Sequence, residues 1–435
     1  MTTPMKSPLE KGARGIDIQT LSNPPDPLLK KGEKNSLKKM PKKKSLFDLQ
    51  FTLLCVSSLL FFASFNMIVP DLYDYLESMG GGELKGLIIA LFTVTAGLSR
   101  PFSGKLADTV GRVPVMIFGV GVCVLMGLLY PVVNSIWALL LLRLLHGFST
   151  GFKPTGTSAF IADIVPTDRR GEAMGYFGVF GSTGMAIGPS FGPWITANFS
   201  LDVMFYISAA IAFLSIAILF GMKETLEDKQ RFKWSLLKIK KDEILEPRVF
   251  NPSVTLLLTS FTFGAAITLA PDMAIQMGFP QEQKGIFFTV FVVCSLLVRI
   301  VAGKISDRYG RVIVLKVAIA MIIVANIAVG LANSQFMFVV SAAVFGLAIG
   351  MNSPTIYAWT IDLSLDRARG KGIATMYIAL EIGIGLGAFV AGYIYSNEVE
   401  NIPYVFYTCA ILSALALLFL FLGLDWSKKL IQRYG

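Results

Sequence analysis

The chain has 435 residues, of which 54% are hydrophobic and only 16% are charged, whereas soluble domains carry about 25% charged residues. Its net charge is +10, and most of its lysines and arginines lie outside the apolar runs, in the N-terminal segment and in short linkers, which is the pattern of a membrane protein and not of a nucleic-acid-binding surface. The four cysteines lie inside apolar runs without CxxC spacing, which argues against disulfides and structural zinc. The sequence has no Walker loop and no credible catalytic constellation around its one histidine, so we expect neither an ATP-driven pump nor an enzyme, and no cofactor or metal.

Residues 1–47 precede the first apolar run and are rich in proline, lysine and serine, with almost no apolar periodicity. We interpret them as a disordered cytoplasmic tail, because such a segment buries too little apolar surface to fold. The sequence leaves open the alternative that the protein starts at Met40, directly before the first apolar run.

Twelve apolar runs follow, and they predict an all-α membrane protein with two six-helix halves. A charged linker, 222–249, separates an N-terminal half, 48–221, from a C-terminal half, 250–424, and residues 425–435 form a short tail. The predicted spans are approximately 49–70, 85–103, 113–132, 136–161, 171–197, 201–221, 251–271, 285–303, 312–331, 335–361, 371–395 and 403–424.

Basic residues are concentrated in alternate loops, which predicts the orientation of the chain in the cell membrane. One side holds the basic N-terminal segment, the linker and the C-terminal tail, whereas the opposite side has only Lys85 and Lys284 among otherwise acidic loops. Because cytoplasmic loops carry the excess of lysine and arginine, we expect both termini to be cytoplasmic.

The two halves repeat each other at an almost constant offset of 199 positions. Between Arg100–Met116 and Arg299–Leu315, eight of 17 positions are identical. Parallel repeats of this kind build one large class of secondary transporters around a central substrate site. The sequence therefore predicts a transporter in the lipid bilayer, with a small-molecule substrate and no nucleic-acid partner.

The segment Gly104–Arg112 reads GKLADTVGR, and its repeat Gly303–Arg311 reads GKISDRYGR. Glycines allow a turn of few residues, and an aspartate four positions before an arginine offers a charge pair at a helix boundary. This loop resembles the signature loop of the major facilitator superfamily, G-x-L-a-D-r-x-G-R, and the resemblance covers the chain beyond residue 47. It implies twelve transmembrane helices in two six-helix repeats.

In that superfamily the aspartate and arginine of the loop belong to a charge network that latches the two halves in the outward-facing state. The resemblance assigns this role to Asp108 and Arg112, with Asp163 at the end of span four as the partner of Arg112. An alternative place for Asp108 is the positive N-terminal end of span eleven. With the repeat included, the expected latch residues are Gly104, Asp108, Gly111, Arg112, Asp163, Gly303, Asp307, Gly310, Arg311 and Asp362.

Span four carries several polar and ionisable residues on one face, since Arg143, His146, Thr150 and Lys153 fall within an arc of about 80°. Arg143 followed by His146 and a glycine resembles the superfamily's fourth-helix motif, R-x-x-q-G, which is associated with proton transfer in exporters. Arg143 lies about 12 Å from the outer end of the span, a depth at which a charge faces a cavity or a partner. Donation to backbone carbonyls between helices is the structural alternative.

His146 is the only histidine of the chain. An imidazole has an ordinary pKa of about 6.5, which suits proton exchange, but a lone buried histidine also serves as a hydrogen-bonded core residue. Both roles stay open from the sequence. We expect no metal there, because no second histidine, cysteine or acid shares its helix face.

Span five carries a row of glycines with one proline. Their spacing resembles the superfamily's antiporter motif, G-x8-G-x3-G-P-x2-G-G, which is typical of drug/proton exporters, although a proline replaces the last glycine. Small residues let helices approach closely, and Gly-Pro loosens a helix so that it bends; ordinary close packing is the alternative interpretation. The residues of the motif are Gly175, Gly184, Gly188, Pro189 and Gly192.

Glu381 is the only acid deep inside span eleven, about 15 Å past its cytoplasmic edge. A carboxylate near the midplane is either protonated or paired, so we predict that Glu381 carries a coupling proton, that Arg143 faces it from the other half, and that His146 is the next site to consider. The substrate cavity is predicted to include Asn66, Arg143, Thr150 and Lys153. Their charges favour an anionic, zwitterionic or neutral polar compound.

The main interpretation is therefore a proton-coupled exporter of a small amphipathic, anionic or neutral polar compound, which works as a monomer by alternating access. An importer or facilitator of a sugar or organic acid is the alternative, which the span-five motif disfavours. A non-transporting membrane receptor is a more remote one, because the tail and the linker are too short to form a soluble output domain.

Overall fold

The computed structural model describes residues 48–166, 170–239, 244–364 and 369–423. Within these ranges every long element is an α-helix and no strand occurs. The predicted tails, 1–47 and 425–435, lie outside the described residues, as do three short connecting stretches.

Twelve helical spans make up the bundle, which confirms the predicted fold class, and we number them α1–α12. Ten of them are individually long and apolar enough to cross a membrane, and the two that are not, α4 and α5, are rich in polar residues and in glycine. The bounds are α1 Leu49–Ser78, α2 Lys85–Thr109, α3 Arg112–Leu129, α4 Ile136–Ile164, α5 Arg170–Asn198, α6 Leu201–Phe220, α7 Phe250–Gln276, α8 Ile286–Tyr309, α9 Arg311–Gly330, α10 Gln335–Leu363, α11 Arg369–Tyr395 and α12 Ile402–Phe421.

α1 consists of two segments, Leu49–Met67 and Val69–Ser78, joined at Ile68. Pro70 follows the joint, and because proline has no N–H it cannot continue the hydrogen bonds of the preceding turn. Upstream of the joint, the amide of Asn66 donates to the carbonyl of Phe62 at 2.8 Å. The second segment carries the acidic side chains of α1 to one end of the bundle.

Helices α2 and α8 run further than the sequence predicted, through the signature segments and up to Thr109 and Tyr309. Leu106 and Ala107 are buried, so the helix continues until the glycine that ends it. Gly111 has a φ of +140° and Gly310 a φ of +92°, conformations that residues with a side chain rarely adopt. Each turn therefore shrinks to one or two residues.

Serine hydroxyls start three of the helices. The side chains of Ser135, Ser200 and Ser334 accept a hydrogen bond from the backbone N–H three residues further along, at the beginning of α4, α6 and α10. Such caps satisfy one of the unpaired donors at a helix N-terminus. Ser135 and Ser334 are equivalent in the repeat, so the two halves begin these helices in the same way.

Helices of the first six spans pack mainly on one another, and so do those of the last six. α1 contacts α5 and α6, α2 contacts α4, and α3 contacts α4 and α6; the same pattern recurs with α7 on α11 and α12, α8 on α10, and α9 on α10 and α12. The two halves meet chiefly along two helix pairs, which we call the α2–α11 seam and the α5–α8 seam. Large apolar side chains such as Leu98, Trp137, Leu297 and Phe336 are exposed on the outside, where lipid covers them.

Candidate transport site

Arg112 begins α3 and joins the ends of α2 and α4. Its Nη1 lies 2.9 Å from Oδ1 of Asp108, and its Nε donates to Oδ2 of Asp163 at 3.1 Å. The short turn at Gly111 brings the arginine against both acids. In the second half Arg311 pairs in the same way with Asp307 and, at 2.9 Å, with Asp362.

We call the end of the bundle that carries these two clusters the motif side. Among the described residues, the ion pairs of both clusters stay within their own half. The side chain of Asp108 is 70% exposed and pairs with Arg112, so it does not occupy the alternative place at the start of α11. Its role as a latch between the halves stays a prediction.

The linker after α6 completes the first cluster. Glu224 accepts hydrogen bonds from the backbone N–H groups of Arg112 and Val113, at 3.1 and 3.0 Å, and so caps the N-terminus of α3. A carboxylate at this end of a helix is favoured by the helix dipole. Further along the linker, the carbonyl of Lys238 accepts a hydrogen bond from Lys105 at 2.6 Å. The sequence did not predict these contacts of the linker, because they join positions more than 100 residues apart.

Two buried lysines hold the halves together at the opposite end of the bundle, which we call the clamp side. Lys85 of α2 lies 2.9 Å from Asp272 of α7, and Lys284, just before α8, lies 2.6 Å from both Asp71 and Asp74 of α1. Both lysine side chains are at most 4% exposed. The sequence had identified Lys85 and Lys284 as equivalent and surrounded by acids, but not their pairing across the halves. We call this set of residues the lysine clamp.

Close backbone contacts accompany the clamp. A Cβ on Gly86 would fall 2.5 Å from the carbonyl oxygen of Ala388, and one on Gly285 would fall 2.0 Å from that of Pro189. On the motif side, by contrast, a Cβ on Gly104 or Gly303 would meet no atom within 4 Å. The two halves are therefore tightly closed on the clamp side and more loosely packed around these motif-side positions.

The glycine row of α5 lies against the backbone of α1. A Cβ would fall 2.4 Å from the carbonyl oxygen of Leu59 at Gly184, 2.6 Å from that of Ala63 at Gly188, and 2.1 Å from that of Met67 at Gly192. Gly175 has no atom near its Cβ position, and Pro189 lies inside the helix. Three of the four motif glycines therefore permit close helix packing, which is the alternative interpretation of the motif; its functional role is not decided by this geometry.

Arg143 of α4 is fully buried within the first half. Its Nε donates to the carbonyl of Ile88 on α2 at 3.0 Å, and its guanidinium lies 4.5 Å from the ring centre of Phe92. The expected approach to Glu381 is not found in this conformation, since Arg143 instead has the contacts of the structural alternative. The helical arc of α4 predicted the polar face that carries Arg143 but could not say which neighbour Arg143 contacts.

His146 is enclosed by side chains of its own half. Its Nδ1 lies 3.2 Å from the hydroxyl of Tyr130 and its Nε2 lies 3.4 Å from the sulfur of Cys123. The ring of Phe92 packs against the imidazole at an interplanar angle of 74°. These contacts fit the role of a hydrogen-bonded core histidine. In the part of the chain that is described, no three histidine, cysteine or acidic residues are grouped to hold a metal.

The other predicted cavity residues are also buried. Lys153 is fully buried and donates to the hydroxyls of Ser58, at 2.5 Å, and Thr157, at 3.1 Å; Thr150 donates to the carbonyl of Gly147 at 3.2 Å. Together with Asn66, none of them is more than 6% exposed. The expectation that these residues line an open cavity is therefore not met in this conformation.

Glu381 lies in the α2–α11 seam and pairs with Arg100 across it. Oε1 of Glu381 is 2.7 Å from Nη2 of Arg100, and both side chains are at most 9% exposed. Tyr377, one turn earlier on α11, has its ring centre 4.3 Å from the guanidinium carbon of Arg100. Sequence reasoning found the acid and missed this arginine, although its recurrence as Arg299 in the repeat was the available signal.

The comparisons with known proteins agree with this architecture. A family model described as the Major Facilitator Superfamily matches residues 54–280 and 252–430. The chain belongs to the major facilitator superfamily. It is a multi-pass membrane transporter.

Its relatives within the superfamily include efflux proteins. The chain is 28% identical over 348 residues to the multi-drug resistance efflux pump PmrA of Streptococcus pneumoniae, covering 76% of this chain and 86% of the relative. It is 25% identical over 331 residues to the multidrug resistance protein MdtG of Salmonella paratyphi C, covering 71% and 79%. The crystal structure of the human organic anion transporter MFSD10 (TETRAN) matches with a TM-score of 0.69 and 20% identity, over 85% of this chain and 98% of that one, which shows the same fold.

Proposed function

We propose that this superfamily member is a proton-coupled exporter of small amphipathic, anionic or neutral polar compounds that works by alternating access. The observation that carries the proposal is the buried Arg100–Glu381 pair, which joins the two halves across the α2–α11 seam. An ionisable residue at this depth is costly and marks a functional site in membrane proteins. The efflux pumps among the relatives support the outward direction.

The pair offers a way to release a proton on one side only. Two opposite charges about 4 Å apart attract each other by about 4 kcal/mol at an effective dielectric constant near 20. Contact with Arg100 favours the ionised carboxylate relative to a state in which the pair is separated, so proton release belongs to the state in which the two side chains touch. When the seam separates, Glu381 loses its partner and takes up a proton from the side that is then open.

The state described above is the inward-facing one under this proposal. The basic-loop bias of the sequence puts the motif side in the cytoplasm, and the lysine clamp closes the opposite, outer side. Proton release therefore occurs towards the cytoplasm, as export driven by an inward proton gradient requires. Substrate bound between the halves offsets the cost of separating Arg100 from Glu381, and in this way couples the two fluxes.

The direction of proton movement distinguishes this proposal from its alternative. The purified full chain is reconstituted into liposomes that contain the pH dye pyranine, with equal pH on both sides. Naphthalene-2-sulfonate, taurocholate, lactate and glucose are then added outside in turn. Antiport predicts that an amphipathic sulfonate raises the internal pH, because protons leave as substrate enters, relative to protein-free liposomes.

A fall in internal pH on addition of lactate or glucose identifies a symporter of the importer type and contradicts the proposal. Uptake of any of the four compounds without proton movement identifies a facilitator and contradicts it equally. Glu83, an exposed acid before α2, provides the matched control: Glu83→Gln should move protons as the wild type does.

A further inference from the structure

The repeat places Arg299 of α8 where Arg100 stands in α2, and Ser182 of α5 where Glu381 stands in α11, since both pairs are 199 positions apart. The two seams are therefore built alike, except that one contains an arginine with its carboxylate and the other contains an arginine without one. In the α5–α8 seam, the repeat position of the carboxylate is therefore held by a serine.

The contacts of Arg299 agree with this difference between the seams. Its Nη1 lies 3.5 Å from the carbonyl oxygen of Gly178, across the seam on α5, which is at the limit of a hydrogen bond. Its Nε is buried and has no hydrogen-bond partner among the described residues; the same holds for Nε of Arg100, so the two arginines differ in the carboxylate and not in this atom. A guanidinium carries five N–H donors, and leaving buried donors unpaired costs about 1–3 kcal/mol each.

Arg299 also differs from the other cations of the central bundle. Arg143 and Lys153 are fully buried inside the first half and donate to groups of that half, even though Nη1 of Arg143 also lacks a partner. Arg299 instead lies between the halves and is only partly buried.

We infer that Arg299 binds the carboxylate, sulfonate or phosphate group of the substrate at the place that a glutamate fills in the other seam. The inference rests on the proposed transport function and narrows its substrate class to organic anions. A planar guanidinium accepts such groups through two parallel hydrogen bonds. With Arg100 paired to Glu381 and Arg299 paired to a monovalent anion, each seam arginine has one negative partner.

Binding of a matched pair of probes tests the inference. Dansylglycine carries a carboxylate, and its amide has the same ring without the charge; both report binding to the purified full chain through their fluorescence. We expect the wild type to bind dansylglycine at least ten-fold more tightly than the amide. Arg299→Ala should reduce this preference to less than two-fold, and Arg299→Lys should keep part of it.

Lys316 of α9, whose ammonium lies over the ring of Phe421, provides the control. Lys316→Ala removes a cation outside the seams and should leave the preference unchanged. A wild type that binds the two probes equally, or a preference that survives Arg299→Ala, overturns the inference. The proton-movement experiment on the wild type is independent of this result. If the wild type is an antiporter and Arg299→Ala still prefers dansylglycine to its amide, the proposed function holds and the anion site at Arg299 is rejected.

A second test introduces the carboxylate into the protein itself. Ser182 lies one helical turn from Gly178 on the same face of α5, so Ser182→Glu should place a carboxylate against Arg299. We expect Ser182→Glu to raise the melting temperature when it is introduced into the wild type and to lower the melting temperature when it is introduced into Arg299→Ala. It should also abolish binding of dansylglycine to the otherwise wild-type protein, because the glutamate occupies the site. A lower melting temperature in both backgrounds contradicts an unfilled anion site.

Discussion

Among single residues, Arg100 is the one that determines, in the proposed mechanism, whether the carboxyl group of Glu381 is ionised. The two side chains touch across the seam and are shielded from solvent. Breaking a buried pair by removing one partner costs about 3–5 kcal/mol, because the remaining charge is left uncompensated. A carboxylate in that position escapes the cost by keeping its proton.

We therefore expect Arg100→Gln to trap Glu381 in its protonated form. Transport by this variant should lose its dependence on the pH gradient, while exchange of substrate for substrate continues. Arg100→Lys keeps a positive charge and should retain part of the dependence. Counterflow and gradient-driven uptake in liposomes measure the two activities, and an unchanged response to the gradient in Arg100→Gln would show that the pair has no part in coupling.

Arg143 calls for a different prediction, because its contacts are those of a structural residue. Arg143→Ala removes the donor to the carbonyl of Ile88 and should lower the free energy of unfolding by about 1–3 kcal/mol, with an unchanged pH dependence of transport. The exposed Arg308 of α8 gives the control, since Arg308→Ala should leave the stability unaltered. A shifted pH profile with wild-type thermal stability would return Arg143 to the coupling machinery.

The sequence predicted that these residues lie inside the bundle, where both are buried, better than it predicted their neighbours. Counting residues along a span gives the distance of Glu381 and Arg143 from the end of a helix, because the rise per residue of a helix is constant. Which face of a helix meets which partner depends on the packing of helices that are far apart in sequence. This is why Arg143 was predicted to face Glu381, whereas Arg100 does so, and why Lys153 was predicted to line a cavity.

At the scale of helices, the glycine row of α5 sets the distance to α1. Backbone contacts as short as those at Gly184, Gly188 and Gly192 leave no room for a methyl group. The sequence pattern identified this row through its spacing, and the pairing with α1 follows from the fold. The sequence pattern did not predict that α2 and α8 continue almost to Gly111 and Gly310. They do so because residues before these glycines, such as Leu106 and Ala107, are buried in the helix.

A matched pair of substitutions in α5 tests the row. Gly188→Ala would place its Cβ 2.6 Å from the carbonyl oxygen of Ala63, and overpacking of this kind costs about 1–3 kcal/mol. Gly175→Ala meets open space and gains up to about 1 kcal/mol of helix propensity. Thermal unfolding should therefore shift downwards for the first variant and not for the second, and equal shifts for both would show that α5 does not lie closely on α1.

At the scale of the whole molecule, the lysine clamp and the motif clusters lie at opposite ends of the bundle. The clamp joins the halves, whereas the ion pairs of the motif clusters stay within each half. In the proposed alternating-access cycle, rocking of one half against the other would exchange which end is closed. The repeat in the sequence predicted two equivalent halves, but not which end is closed, because both states have the same sequence and differ only in contacts.

Removal of the clamp should shift the molecule towards its other state. Lys284→Ala leaves Asp71 buried without its cation, which destabilises the closed clamp side. A single cysteine at Ser182, in a background without the four native cysteines, reports access from each side to a membrane-impermeant maleimide. We expect Lys284→Ala to increase labelling from the outside of intact cells at least three-fold. Lys304 is an exposed residue on the motif side, and Lys304→Ala should leave this labelling unchanged.

Equal labelling of Lys284→Ala and its parent would show that the clamp does not hold the outer side shut. Labelling of the parent from outside alone would reverse the orientation assigned by the basic loops.

The central claim is that a proton carried by Glu381 drives substrate across the membrane, and one measurement tests it most directly. Liposomes containing the full chain are prepared with an acidic interior, and uptake of naphthalene-2-sulfonate, which does not change its charge with pH, is followed to its plateau. The wild type should concentrate the sulfonate inside above the external level until the gradient is dissipated. Glu381→Gln should bring it only to the external level, because the amide cannot exchange a proton. Accumulation by Glu381→Gln to the wild-type plateau, or a wild type that accumulates nothing, would contradict the account.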